Sequence, residues 1–384
     1  MIHRFILNEV SYFGPGSRAD LPGAIERLGK KKALVVTDRG LVEHGVAKMV
    51  TDVLDAAGVP FEVFMDVKPN PTVSNVNAGL AAYRAAEADV LVAVGGGSSI
   101  DTAKAIGIVA NNPEFVDVVS LEGIAPTKNK SVPIIALPTT AGTAAETTIN
   151  YVIIDEEKQK KMVCVDPNDI PAVAIIDAEL MYSLPASLTA ATGMDALTHA
   201  IEGYITKGAW VMSDMFEIEA VRMIARYLPV AVKEPKNPEG RDMMALAQYI
   251  AGMAFSNVGL GLVHGMAHPM GSLHDIPHGV ANALLLPTVM EFNMESSIEK
   301  YGNIARAMGV DITGMSDREA AEAAVKAVKA LSVEVGIPQH LSEIGITEKD
   351  IPALVEQAAA DVCTPGNPRD VTVEDITALY YKVL

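Results

Sequence analysis

Five short runs dominated by aliphatic residues punctuate the first half of the chain: KKALVVTD, GVPFEVF, ADVLVAVGGGSSID, SVPIIALPTT and PAVAIIDAEL. Most lack the polar alternation of a half-exposed strand, which predicts strands buried on both faces. Helical stretches separate them, and DTAKAIGIVANN follows the third run directly. This succession predicts βαβ units and a mainly parallel sheet. The first clear strand is expected to end at Asp38, and the helix after the third to begin near Asp101.

After about Pro185 the strand signals stop. ASLTAATGMDALTHAIEGYI, MFEIEAVRMIARYLPVAV, GRDMMALAQYIAGMAFS, the Met266 region and REAAEAAVKAVKALSVEVG repeat their apolar residues at three and four. That is the period of helices with one buried face. The pattern predicts an α/β domain over 1–183 and an all-helical domain over 184–384. No low-complexity linker joins them, so a compact join with a cleft between the domains is expected. Such clefts are favoured ligand sites.

Composition narrows the function. The formal net charge is −18, and no Lys/Arg-rich stretch offers the basic face that nucleic acid requires. No apolar run approaches the roughly 20 residues of a membrane span. MIHRFILNEV has no export-signal core, so a cytoplasmic protein is expected. Cys164 and Cys363 are the two cysteines, too few for a disulfide framework, and read as free thiols in a reducing compartment. Against this net charge an anionic cofactor must be held by backbone N–H groups, helix starts and a stray lysine.

Four of the eight histidines lie between 264 and 278, in GLVHGMAHPMGSLHDIPHGVANA. His264 and His268 are four apart, so on a helix they share a face, about 40° from each other. Pro269 and Gly271 are expected to disturb or end that helix. Pro277 then places His278 in the first turn of the next one. Asp195 and His199 in TGMDALTHAIEGY repeat the same spacing. A carboxylate with two or three of the later imidazoles makes a mixed N/O site for a divalent cation, suited to Fe(II), Zn, Mn or Co. Spacing leaves open which of His264, His268 and His278 ligate and which serves as a free proton relay. Glu202 shares the face of Asp195 and His199 and is either a rival ligand or a support for one. His274 reads as cleft-lining. His3, His44 and His340 lack a partner pattern and read as surface residues.

Gly95-Gly96-Gly97-Ser98 joins a buried strand to a helix. Glycines admit close backbone approach, and a helix start offers N–H groups to a pyrophosphate. LPTTAGTAAETT adds Thr139, Thr140 and Thr143 after another strand, as hydroxyl donors to phosphate or ribose. Asp38 can accept from an adenosine ribose and would repel the 2′-phosphate of NADP. Here the acid precedes the glycine loop, so the expected Rossmann-like domain is a variant of the usual dinucleotide-binding order.

GGGSSIDTAKAIG at 95–107, LPTTAGTAAE at 137–146, ATGMDALTHAIEGY at 191–204 and GLVHGMAHPMGSLHDIPHG at 261–279 together resemble the iron-dependent (group III) alcohol dehydrogenase family over the whole chain. NNPEFVDVVSLEG, VCVDPNDIP and CTPGNPRD point, within it, to members that handle a small hydroxyaldehyde and its diol. The resemblance implies Fe(II), or alternatively Zn or Mn, on Asp195, His199, His264 and His278. It leaves His268 as the catalytic proton relay. It implies NAD held by Asp38, Asn70, Gly95 to Ser98, Thr139, Thr140, Thr143, Asn150 and Lys161, and a homodimer. Asn150, Phe255 and Cys363 are its candidates for the substrate pocket.

Two departures stand out. Ser99 replaces a common Pro, which is expected to loosen the glycine loop. Ala144-Ala145 replaces a common Gly-Ser, which removes one hydroxyl. Three competing readings are another dehydrogenase of the family, acting on 1,3-propanediol, ethanol or methanol; a zinc enzyme on the dehydroquinate-synthase and glycerol-dehydrogenase scaffold; and a non-enzymatic sensor. The lack of an Arg/Lys cluster near the histidines weighs against an acidic substrate.

Overall fold

The computed structural model describes residues 2–124, 126–158 and 160–384. The chain divides into two compact units, Met1–Ser183 and Leu184–Leu384.

The first unit is built on a six-stranded parallel sheet. Its strands are β1 (Val10–Phe13), β2 (Ala33–Val36), β3 (Phe61–Phe64), β4 (Val90–Gly95), β6 (Ile134–Pro138) and β9 (Val173–Ile176), in the order β1-β9-β6-β4-β2-β3. A second sheet holds β5 (Gly123–Ile124), β7 (Asn150–Asp155) and β8 (Lys160–Val165), with β7 and β8 antiparallel. Helices α1 (Leu21–Arg27), α2 (Arg39–Glu43), α3 (Val46–Ala57), α4 (Val73–Ala86) and α5 (Gly97–Asn111) connect the strands.

Alternation along each strand explains the unbroken apolar runs. Leu34, Val36, Leu91, Ala93, Ile134 and Ala136 feed one core. Their immediate neighbours Val35, Val92 and Ile135, with Ile175 of β9, feed another on the opposite face. Both faces of the inner strands β2, β4, β6 and β9 are dry, so their positions are apolar, whereas edge strands β1 and β3 keep exposed residues.

Three local expectations are corrected. β2 ends at Val36, and Asp38 is the cap of α2, where its Oδ1 accepts from the Leu41 N–H at 2.9 Å. The helix after β4 starts at Gly97 rather than near Asp101. Ser99 tightens that turn, because its N–H, which Pro would lack, donates to the Gly96 carbonyl at 3.2 Å. The β7–β8 hairpin and edge strand β1 gave no recognised signal. β7 alternates buried and half-buried residues and so lacks the continuous run that marks the central strands.

The second unit contains α6 (Ala186–Ile205), α7 (Val211–Lys233), α8 (Pro238–Val258), α9 (Leu262–His274), α10 (His278–Asn293), α11 (Ile298–Ala307), α12 (Asp317–Glu334), α13 (Ile351–Ala359) and α14 (Val373–Val383). Among its described residues there is no strand. α6 is buried almost all round, between α7, α8 and α10. The expected break at Pro269 and Gly271 does not occur: α9 runs through both to His274, which is its last residue. An interior proline costs a helix about 3 kcal/mol. Every residue from Leu262 to Gly271 is buried, and that burial outweighs the lost hydrogen bond. Among the described residues no single helix is long and apolar enough to cross a membrane.

Candidate metal centre

α6, α9 and α10 each contribute to one cluster within the helical unit. Asp195 and His199 lie one turn apart on α6, His264 is the third residue of α9, and His278 is the first residue of α10 behind Pro277. One ligand atom from each of Asp195, His199, His264 and His278 lies within 4.8 Å of all the others. The Nε2 atoms of His199 and His264 are 3.0 Å apart, and His278 Nε2 is 3.8 Å from Asp195 Oδ1. Asp195, His199 and His264 are buried, whereas the His278 side chain keeps 24% of its surface exposed. The cluster therefore has one accessible side.

The surroundings orient these groups. His264 Nδ1 lies 2.7 Å from Glu202 Oε2. A neutral His264 that donates there turns its Nε2 lone pair into the cluster. The same carboxylate accepts from the backbone N–H groups of Gly261, Val263 and His264, so it also caps the start of α9. Glu202 thus stands behind a ligand rather than among the four. Phe255 stacks on the His199 ring, centroids 4.3 Å apart and planes 15° apart. Asn282, four residues past His278 on α10, brings its amide nitrogen to 2.7 Å from Asp195 Oδ1.

His268 adjoins the cluster and faces elsewhere. Its ring stacks on His278 at 5.4 Å, while its Nδ1 is 2.8 Å from Asp361 Oδ2. Burial works to raise the Asp361 pKa. The charge of His268 and its hydrogen bonds prevail and hold the carboxyl below its usual range. Asp361 Oδ1 also accepts from the Cys363 N–H at 2.8 Å. Burial first, then the charge of Asp361, push the Cys363 thiol well up, and burial pushes Cys164 up to about 12. Neither sulfur is a ready thiolate. His274, at the end of α9, lies 3.9 Å from Asp350.

In the α/β unit the loops sit at the C-terminal ends of neighbouring strands. The Thr139 N–H donates to the Gly95 carbonyl at 3.0 Å. A Cβ on Gly96 would lie 3.2 Å from Thr140 Oγ1, and one on Gly97 would lie 3.0 Å from the Thr143 side chain. The glycines therefore permit a close fit between the two loops. No side chain caps the start of α5. Asp38 follows β2 and the glycine loop follows β4. Strand order reverses between these two, the position where α/β sheets bind ligands. Asn70 has a left-handed backbone, φ 52°. Next to it, the Pro71 carbonyl accepts from the Ile154 N–H at 2.8 Å, and Ile154 pairs with Lys161. β7 thus lies between the segment that carries Asn70 and the Lys161 strand, and Asn150 is its first residue.

Models of two parts of one family cover nearly the whole chain. Iron-containing alcohol dehydrogenase matches residues 8–178, and the C-terminal region of the Fe-containing alcohol dehydrogenase family matches 189–384. The chain belongs to the iron-containing alcohol dehydrogenases. It is 57% identical over 381 residues to a lactaldehyde reductase of Escherichia coli (strain K12), covering 99% of each chain. A crystal structure of 1,3-propanediol oxidoreductase superposes with a TM-score of 0.98 at 43% identity, covering both chains fully. Sulfoacetaldehyde reductase from Bifidobacterium kashiwanohense, solved in complex with NAD+, superposes with a TM-score of 0.89 at 32% identity, covering 100% of this chain and 99% of that one.

The donor set of this dehydrogenase fits a divalent metal. Three imidazoles and a carboxylate without a thiolate form a borderline-hard site, and four protein ligands leave room for an added oxygen ligand on a metal that exceeds four-coordination. Three supporting residues escape sequence reading. Asn282 had a usable signal, since it follows His278 at i+4. Asp361 had none, being 93 residues from His268. Lys104 is the lone basic residue of α5. It is fully buried, and its Nζ donates to the Thr148 carbonyl and hydroxyl and to the Asn150 carbonyl at 2.8–2.9 Å. It ties the start of the hairpin to α5.

Proposed function

We propose that this family member is a metal-dependent NAD(H) oxidoreductase that interconverts lactaldehyde and 1,2-propanediol. Full-length identity of 57% to a lactaldehyde reductase carries the choice of substrate. Asp195, His199, His264 and His278 hold the metal, assigned as Fe(II) from the family with Zn or Mn as the alternative. NAD is held by Asp38, Asn70, Gly95, Gly96, Gly97, Ser98, Thr139, Thr140, Thr143, Asn150 and Lys161. The carboxylate of Asp38 disfavours the extra phosphate of NADP by charge. The enzyme works as a homodimer in the cytoplasm.

A bound divalent cation supplies Lewis acidity toward a carbonyl oxygen, and a nicotinamide supplies the hydride. The protein supplies the rest. Asp361 holds the Nδ1 side of His268, which leaves Nε2 as the atom that gives a proton to the product oxygen or takes it in the reverse direction. Phe255 holds the His199 ring in one plane. Asn150, Phe255 and Cys363 are the side chains assigned to the substrate.

The test removes metal thoroughly, reloads with Fe(II), Zn or Mn, and follows NADH consumption with lactaldehyde, glycolaldehyde, propanal and dihydroxyacetone. Metal-free protein is expected to be inactive, Fe(II) to restore most activity, and lactaldehyde to give the highest kcat/KM. Undiminished turnover without metal refutes the metal role. Equal rates with NADPH remove the role given to Asp38. A preference for propanal moves the substrate to a simple alcohol.

A further inference from the structure

Asn282 is fully buried on α10, one turn beyond His278. Its Nδ2 lies 2.7 Å from Asp195 Oδ1, 3.1 Å from His264 Nε2 and 3.1 Å from His278 Nε2. One amide thus touches three of the four side chains in the cluster, each from a different helix. Its Oδ1 is buried with no hydrogen-bond partner among the described residues. An unpaired buried carbonyl is a cost that an aliphatic side chain of similar volume would not carry. Rotating the amide by half a turn would set oxygen against the Asp195 carboxylate, so the nitrogen must face the acid.

Two amide hydrogens meet three acceptors. The shortest contact is the charge-assisted one to the carboxylate. The acceptors also differ in capacity. Each imidazole Nε2 has one lone pair, which a metal would take. A carboxylate has about four acceptor positions and can serve a metal and an N–H together. Of the three contacts, only the one to Asp195 is therefore compatible with a loaded site.

We propose that Asn282 is a positioning residue for the metal, its amide N–H holding the Asp195 carboxylate in place while the imidazoles are free to ligate. The inference rests on the four-ligand reading given above. It also accounts for the unpaired oxygen, since the amide is kept for its nitrogen.

Co(II) added to metal-free protein tests this, with affinity measured by chelator competition and coordination by the visible d–d bands. Asn282→Leu keeps the volume and removes the donor, and Asn282→Ala removes both. Metal-free melting temperatures check that each variant folds. Loss of an outer partner of a metal ligand typically weakens binding by about 10- to 100-fold. A weakening of that size in either folded variant, with altered d–d bands, is the expected result. Co(II) binding and bands identical to wild type in a folded variant overturn the inference alone, as does tighter binding. Wild-type protein that binds no Co(II) overturns the four-ligand reading and this inference with it.

Discussion

The acid at Asp361 decides what His268 can do. An imidazole with Nδ1 committed to a carboxylate 2.8 Å away presents a defined Nε2. Asp361→Ala should lower kcat by about 10-fold or more, a part of the roughly 100- to 10,000-fold that a positioned general acid–base group contributes. Bound metal, assayed by elemental analysis, should stay near wild type, because the hydrogen bonds of Asp361 go to His268 and the Cys363 N–H. His268→Ala should slow turnover likewise with metal retained, and loss of metal in that variant would make His268 a ligand. In the α/β unit, burial pushes Asp101 up to about 6, against the opposing pull of Lys104, the Val152 N–H and Lys161. The pKa is raised in the folded state. Its stabilising contribution is therefore complete below the unfolded value of about 3.9 and is lost as pH rises through about 6. Asp101→Asn should flatten the dependence of melting temperature on pH across that window. An unchanged slope would place Asp101 in ordinary solvent.

Helix contacts bring the ligands together. Asp195 and His278 meet because α10 crosses α6 at Gly279, where an added Cβ would lie 2.6 Å from the Ala191 carbonyl oxygen. That neighbour is backbone and cannot rotate aside. Gly279→Ala should push the two helices apart, at about 1–3 kcal/mol of stability for an overpacked site. Metal affinity should fall further than the melting temperature implies, because His278 moves with its helix. Wild-type metal affinity in this variant would show that the cluster tolerates helix displacement. The same logic explains α9: local chemistry at Pro269 argues for a break, and burial of the whole preceding face overrides it.

Across the molecule, a metal held by three helices ties their stability to its concentration. A ligand at 100 times its dissociation constant stabilises the state that binds it by about 2.7 kcal/mol. For a unit of about 200 residues that raises the melting temperature by roughly 5–10 °C. Calorimetry with and without Fe(II) should show a shift of that order. No shift would mean that, at that concentration, the folded unit binds metal no more tightly than the unfolded chain does.

Much was legible without coordinates because the information is local. Apolar runs marked the central strands, since both faces of the sheet are dry. Spacing at i+4 marked Asp195 with His199 and placed His264 beside His268, since a helix repeats on nearly that period. Pro277 located the start of α10. What folding alone decided is which distant groups meet: Glu202 behind His264, Asp361 behind His268, Asn282 against Asp195, and Lys104 beneath the hairpin. These choices depend on helix crossings and strand order. Such packing is set by side chains far apart in sequence, and no local period records it.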